Sequence, residues 1–266
     1  MRKKYGQNFL VNRSAREKLI TALDPNPGET VWEIGPGLGA MTSVLLDAGA
    51  MLTAFEIDDG FIRLLRGFFG YKPNFKLIEG DVLKMWKTQA GEKNLLLGNL
   101  PYNIAARLLG DLIEGQRLFR RCVLTVQKEI GERILASAGS KDYSSFTVLV
   151  RSVYTARKLL LLKGSSFYPS PLIDSMALIL TLNSERLIYP ALFYPMVRQL
   201  FAGRRKTIKN NLQRYLGTEA LSFTVPPDPL TILEKAGVPT DERPENIDIA
   251  GFLRLATVLT DMLPKG

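Results

Sequence analysis

The sequence predicts an α/β domain built on a mostly parallel sheet, followed by a smaller all-helical domain. Three observations carry this. Strand-length apolar runs alternate with helical patterns through the first two-thirds of the chain, a glycine-rich turn follows one of the first of those runs, and strand patterns cease after Asn183. With 266 residues the chain is long enough for two cores.

Taken in order, Ser14-Ala15-Arg16-Glu17 reads as a capping box and predicts a helix over 14–23. Thr30–Ile34 is the first strand and Gly35-Pro36-Gly37-Leu38-Gly39 the turn into a helix at 40–48. Met51–Glu56 is the next strand, with a helix over 59–68; strands at 75–78 and 94–98 follow. A helix is expected at 104–113, a strand at 122–127, a helix at 128–136, and two more strands at 146–154 and 175–182. The connection between the last two is too short for a helical crossover, so they should run antiparallel. Helical periodicity then takes over at 190–202, 205–216, 229–236 and 246–262, with the domain boundary placed at residues 185/186.

Composition narrows the chemistry. The chain has no histidine and a single cysteine, Cys122, which removes His-based acid–base catalysis, Ser-His or Cys-His nucleophiles, a disulfide framework and Cys-cluster zinc. No metal is expected. Thirty-five Lys and Arg against 26 Asp and Glu give a net charge of +9, which points to a polyanionic partner. Between Glu185 and Glu219 there is no acidic residue, whereas Arg186, Arg198, Arg204, Arg205, Lys206, Lys209 and Arg214 are all basic. Arg198, Arg204, Arg205, Lys206 and Lys209 are the candidate contacts to that partner. The basic start is not followed by an apolar segment and no run spans a bilayer, so a cytoplasmic protein without membrane association is expected.

A glycine-rich turn between a strand and a helix lets a ligand approach the backbone and meet helix N–H groups. Gly35 and Gly37 occupy that place. Glu56 ends the next strand, where a carboxylate can accept from ribose hydroxyls, and Asp81 follows the third, placed to accept from an adenine amino group. Dinucleotides and S-adenosylmethionine both use such a rim. Pro36 lacks an N–H and so weakens the case for a pyrophosphate.

The fourth strand delivers Asn99-Leu100-Pro101-Tyr102 to the same rim. An aromatic exocyclic amine is a poor nucleophile because its lone pair is delocalised into the ring. Two acceptors on its hydrogens localise that pair and aim it at a methyl donor; the Asn99 side-chain oxygen and the Leu100 carbonyl can supply them, the latter directed by the proline that follows. Such a reaction demands no general base, in keeping with the absence of histidine. Tyr102 offers a face on which an extruded base stacks, worth about 1–3 kcal/mol. Phe167, in the proline-stiffened loop Phe167-Tyr168-Pro169-Ser170-Pro171, either clamps the opposite face of the base or anchors its loop.

These residues resemble the small-subunit ribosomal RNA adenine dimethyltransferases, the kasugamycin-sensitivity methyltransferases of bacteria and their archaeal, eukaryotic and mitochondrial relatives. The likeness runs from Tyr5-Gly6-Gln7-Asn8-Phe9-Leu10 through Glu33–Gly39, Asn99–Ile104, Gln127-Lys128-Glu129, Gly139–Tyr143 and Phe167-x-Pro169-x-Pro171 to Phe201-x-x-Arg204-Arg205-Lys206-Thr207 and Asn210-Asn211-Leu212. Tyr5, Ala105 and Ser144-Ser145 depart from it.

The resemblance implies a Rossmann-like class I methyltransferase domain with a seven-stranded mostly parallel sheet over 1–185, and a small helical RNA-binding domain over 186–266. It implies S-adenosylmethionine held by Gln7, Asn8, Leu10, Gly35, Gly37, Glu56, Ile57, Asp81, Val82 and Asn99. Catalysis would fall to Asn99, Leu100, Pro101, Tyr102 and Phe167. It further implies dimethylation of N6 on two adjacent adenosines in the 3′-terminal hairpin loop of small-subunit (16S) rRNA, inside a partly assembled subunit, by a monomeric enzyme that also serves assembly.

Other readings stand beside it. A large-subunit adenine methyltransferase shares the Asn-x-Pro-Tyr site, but Leu100 and the basic segment favour the small-subunit type. An RNA-binding assembly factor whose methylation is incidental remains open; a nicotinamide dehydrogenase is disfavoured by the lack of histidine.

Overall fold

The computed structural model describes residues 8–89, 94–101, 104–184, 189–218, 221, 223 and 226–263. They form two compact units, one made of the chain to Leu135 together with Tyr154–Asn183, the other of Ala136–Val153 and the chain from Ser184.

In the first unit the order is β1 (Phe9–Leu10), α1 (Arg13–Leu23), β2 (Thr30–Ile34), α2 (Ala40–Asp47), β3 (Met51–Glu56), α3 (Asp59–Phe69), β4 (Phe75–Glu79), α4 (Val82–Met85), β5 (Leu95–Asn99), α5 (Ala105–Glu114), β6 (Arg121–Gln127) and α6 (Lys128–Leu135). After the excursion into the second unit come β7 (Tyr154–Leu162), β8 (Phe167–Tyr168) and β9 (Ser175–Leu182). Among the described residues the main sheet has seven strands in the order β4-β3-β2-β5-β6-β9-β7, parallel from β4 to β6, with β9 antiparallel to both its neighbours.

Parallel strands are covered on both faces, and the central strand shows it: Leu95, Leu96 and Leu97 are each 0 % exposed. One face gathers Leu19 and Leu23 of α1, Leu45 of α2, Leu65 of α3 and Val31, Leu97 and Val123 of the sheet. On the other, Trp32 stacks edge-on against Phe55 and Phe119, with ring centroids 4.7 and 5.4 Å apart.

Two expectations are corrected here. α1 is capped by Asn12, whose side chain accepts from the Ala15 N–H at 2.9 Å, rather than by Ser14. Asn caps as well as Ser, and Glu17 turns outward to pair with Arg13 at 2.8 Å. The second correction is larger. Residues 146–153, most of the strand expected at 146–154, belong to the helix α7 (Ser145–Val153), and the strand begins at Tyr154. The run Phe146–Val150 is rich in β-branched residues, yet Thr147, Val148 and Val150 are each 0 % exposed, and a short run of consecutive buried residues carries no period to distinguish strand from helix. Ser144 and Thr147 exchange hydrogen bonds at its start: the Ser144 N–H donates to the Thr147 hydroxyl at 3.0 Å and the Thr147 N–H to the Ser144 hydroxyl at 3.4 Å. Ser144 is therefore a helix cap. The expected antiparallel pair exists one element later, with Tyr154 opposite Leu182.

The second unit adds α8 (Phe193–Ala202), α9 (Ile208–Leu216), α10 (Pro229–Lys235) and α11 (Ile249–Met262). Its core joins Tyr143 and Val148 with Phe193, Leu200, Leu212 and Phe252, which is why 136–153 belong to this unit and a single cut at 185/186 does not divide the chain. No helix of the described residues is long and apolar enough to cross a membrane.

Candidate active site

In an open parallel sheet, ligands bind beyond the C-terminal ends of the strands where the winding direction reverses. That point lies between β2 and β5, which are neighbours although β3 and β4 intervene in sequence. Both ends carry the residues singled out above.

The turn after β2 needs glycine for steric reasons. Gly35, Gly37 and Gly39 have φ of +69°, +57° and +80°. A Cβ on Gly37 would lie 2.9 Å from the Phe9 ring, and one on Gly39 2.5 Å from Phe69. A Cβ on Gly35 would point to the Asn99 carbonyl oxygen at 3.9 Å, so the two strand ends face each other across a narrow gap.

Glu56 closes this turn from β3. It is 3 % exposed; one carboxylate oxygen accepts from the N–H groups of Ile57 and Asp58, both at 2.9 Å, and the other from the Gly37 N–H at 3.3 Å. The carboxylate thus ties the glycine turn to the end of β3 and retains lone pairs for hydroxyl donors. Burial raises its pKa despite these three donors. Asp81 caps α4 by accepting from Leu83 N–H at 3.0 Å, a role its position as a loop carboxylate did not reveal. Val82 is buried, and Ile57 is 38 % exposed beside Glu56.

At the end of β5 the Asn99 amide donates from Nδ2 to the Asn8 carbonyl at 2.7 Å. A carbonyl can only accept, so this bond sets the amide orientation and turns Oδ1 the other way. The Leu100 N–H donates to Thr125 O at 3.0 Å and its side chain is 2 % exposed. Gly98 makes room for it, since a Cβ there would meet Leu100 Cδ2 at 2.8 Å. Asn8 leads into β1, which pairs antiparallel with β8: Phe9 opposite Tyr168, Leu10 opposite Phe167. Leu10 and Phe167 are 6 % and 4 % exposed and sit in the α1-side core, so the exposed aromatic of this loop is Tyr168 at 61 %. Gln7 and Tyr102 lie outside the described residues, and Pro101 ends the described turn.

Glu33 was not singled out, although one glutamate in the apolar run Val31-Trp32-Glu33-Ile34, directly before the glycine turn, is a readable anomaly. It is 0 % exposed; one oxygen accepts from the Thr42 hydroxyl at 2.7 Å and the other has no partner among the described residues. Burial, partly opposed by Thr42 and assisted by the charge of Glu56, pushes its pKa up to about 7. Glycines leaving a cradle, a buried acceptor with spare capacity and a second carboxylate beside it suit a ligand bearing an amino cation and ribose hydroxyls, and S-adenosylmethionine has both. Among the described residues no cluster of three His, Cys, Asp or Glu side chains could hold a metal.

The Glu33 environment predicts a pH effect. A folded-state pKa above the ordinary 4.5 means the folded protein binds this proton more tightly than the unfolded chain, so stability is fully present below about pH 4.5 and declines up to about pH 7. Urea unfolding of the ligand-free protein should lose up to about 3 kcal/mol across that window, and Glu33→Gln should flatten the decline. An identical pH slope in wild type and Glu33→Gln would remove Glu33 as its source.

In the second unit the basic segment is held rather than loose. Asn211, 1 % exposed, donates to the carbonyls of Gly203, Lys206 and Thr207 at 3.0, 3.3 and 3.2 Å, and Thr207 caps α9. Arg204 donates to Glu245 at 3.2 Å and to the Lys141 and Tyr143 carbonyls at 2.8 and 3.3 Å, so it braces this turn. Arg205 and Lys206 are exposed on it, Arg198 is exposed on α8 and Lys209 is half-buried on α9.

Comparison with known proteins agrees with this geometry. Residues 1–253 match the family model described as ribosomal RNA adenine dimethylase. The ribosomal RNA small subunit methyltransferase A of Treponema denticola is 41% identical, the alignment covering 97% of this chain and 89% of that protein; its counterpart in Borreliella afzelii is 40% identical over the same shares. A dimethyladenosine transferase from Plasmodium falciparum superposes with a TM-score of 0.82 at 27% identity, covering 95% of this chain and 98% of that one. The 23S rRNA methyltransferase ErmE shares the fold, with a TM-score of 0.67 at 23% identity over 95% and 100%. With a Rossmann-like sheet, a glycine turn and an oriented Asn99 meeting at one switch point, and with a family match over nearly its whole length, the chain belongs to the ribosomal RNA adenine dimethylases.

Proposed function

We propose that the protein transfers methyl groups from S-adenosylmethionine to N6 of two adjacent adenosines in the 3′-terminal hairpin loop of small-subunit rRNA, acting as a cytoplasmic monomer on a partly assembled subunit. The observation that carries this reading is the Asn99 amide, turned by the Asn8 carbonyl so that its oxygen is available beside the Leu100 peptide.

When bound, S-adenosylmethionine supplies an activated methyl group on a sulfonium sulfur. Gly35, Gly37 and Glu56 hold and orient it at the switch point, with Asn8, Leu10, Ile57, Asp81 and Val82 around them and Gln7 preceding. Asn99 Oδ1 accepts one hydrogen of the adenine amine and the Leu100 carbonyl the other, which restores nucleophilic character to the nitrogen. The same two oxygens stabilise the positive charge that grows there as the new bond forms. Pro101 holds the Leu100 peptide extended, and Tyr102 stacks on the base. As the methyl moves to nitrogen its bond to sulfur breaks and the sulfur keeps the bonding pair; the resulting N-methylammonium is strongly acidic and releases one proton to water, so the amine keeps one hydrogen and one acceptor still orients it for the second transfer.

The RNA is held by charge. Arg198, Arg205, Lys206 and Lys209 are the proposed phosphate contacts, with Arg204 bracing the turn that presents them. Affinity should fall steeply with salt, log K dropping by about 0.7–0.9 per phosphate contact for each decade. The double variant Arg205→Ala/Lys206→Ala should reduce that slope by nearly two contacts, and a flat response in the wild type would remove this segment from the footprint. The reaction itself is tested by incubating the protein with labelled S-adenosylmethionine and undermethylated small subunits and analysing the nucleosides. Dimethyladenosine at two neighbouring positions is expected; label in large-subunit RNA only, or none, would overturn the assignment.

A further inference from the structure

Beyond Phe167 the chain forms a short tip, Tyr168-Pro169-Ser170-Pro171-Leu172-Ile173, before β9 begins at Ser175. Its apolar side chains point outward: Tyr168 is 61 % exposed, Ile173 42 % and Leu172 104 %. A single exposed leucine is ordinary; three large apolar residues together on one tip beside a site are not.

The tip is firmly anchored. Tyr168 pairs with Phe9, the buried Phe167 roots the incoming strand, and the Asp174 carbonyl accepts from Lys128 N–H at 3.0 Å on the way out. Its middle lies against Gly164, where an added Cβ would stand 2.5 Å from the Pro171 carbonyl oxygen and 2.7 Å from Ser170 Oγ. It is also tied to the reacting end of the sheet. Asn99 donates to the carbonyl of Asn8, Asn8 precedes Phe9, and Phe9 is the residue opposite Tyr168. Lys163 is exposed at the root of the tip.

A stacked adenosine cannot present its amine to Asn99 until it leaves the stack, and apolar side chains that enter between bases make that exchange in other nucleic-acid proteins. We propose that Tyr168–Ile173 is an RNA wedge: Leu172 enters the stack of the hairpin loop and fills the place vacated by the target adenine, with Tyr168 and Ile173 supporting it. This rests on the function proposed above and adds to it the residues that part the bases.

The test uses the full-length protein with Leu172→Ser and Leu172→Met. Because Leu172 is fully exposed, neither change should disturb folding. On undermethylated subunits, Leu172→Ser should lower kcat at least about tenfold while KM for subunits and affinity for S-adenosylmethionine stay within about twofold, and Leu172→Met should restore the rate. A hairpin RNA with 2-aminopurine in place of the target adenosine should brighten on binding the wild type and stay quenched with Leu172→Ser. Wild-type kcat in Leu172→Ser, a parallel loss of donor affinity, equal brightening by both proteins or none with the wild type would each overturn the wedge. Failure of the wild type to form dimethyladenosine would instead overturn the underlying function, so the two outcomes are separable.

Discussion

Asn99→Ala is expected to lower the rate of methyl transfer at saturating donor by about a hundred- to a thousandfold while the protein stays folded and binds its RNA. The scale is that of removing one preorganised group aimed at charge developing in a transition state. Alanine deletes the oxygen that accepts from the adenine amine and also the donor to the Asn8 carbonyl. β1 keeps its pairing with β8 and its buried Leu10, so the local frame survives. Asn99→Asp separates the two roles, since it retains oxygens but replaces the donor to Asn8 with an acceptor facing a carbonyl. Single-turnover rates on undermethylated subunits, with donor affinity measured by calorimetry, give the answer. A near-normal rate in Asn99→Ala would end the claim that this amide directs the amine.

The second large effect is expected at Glu56. Glu56→Ala should weaken binding of S-adenosylmethionine about a hundredfold or more, from the loss of charged hydrogen bonds to the ribose together with release of the turn. Without the carboxylate, the N–H groups of Gly37, Ile57 and Asp58 lose their acceptor, and the turn and the end of β3 come apart. Glu56→Gln keeps one acceptor oxygen in the same volume and should fall between the two. Calorimetric titration with S-adenosylmethionine measures it directly, and unchanged affinity in Glu56→Ala would place the donor elsewhere on the rim.

How much was legible varied with the kind of signal. The strands from Thr30 to Glu56 and the central strand were readable because each is a short apolar run bounded by glycine, proline or a charged residue. The helix at 145–153 was not, because the consecutive buried residues Thr147–Val150 mask its period, and its companions in the core lie far along the chain. β1 and β8 were invisible for another reason: two residues each, they pair across more than 150 positions, and no local pattern encodes such a contact. At the candidate site, the placement of Asn99 and Glu56 at strand ends was readable because each closes a short apolar run. Their fixed orientations, the capping role of Asp81 and the brace made by Arg204 depend on partners the sequence does not place beside them.

Residue types and local order by themselves therefore determined the class of domain, the glycine turn, the absence of histidine chemistry and the placement of Asn99 and Leu100 at the end of a central strand. These follow from short-range sterics and from functional groups, which travel with the sequence. Only the tertiary structure decided which way the Asn99 amide faces, that Glu33 is buried beside the glycine turn with one oxygen unmatched among the described residues, and that an apolar tip follows β8, the strand paired with β1. Each of those is a relation between segments far apart in the chain, set by packing and hydrogen bonding that exist only once the sheet has formed.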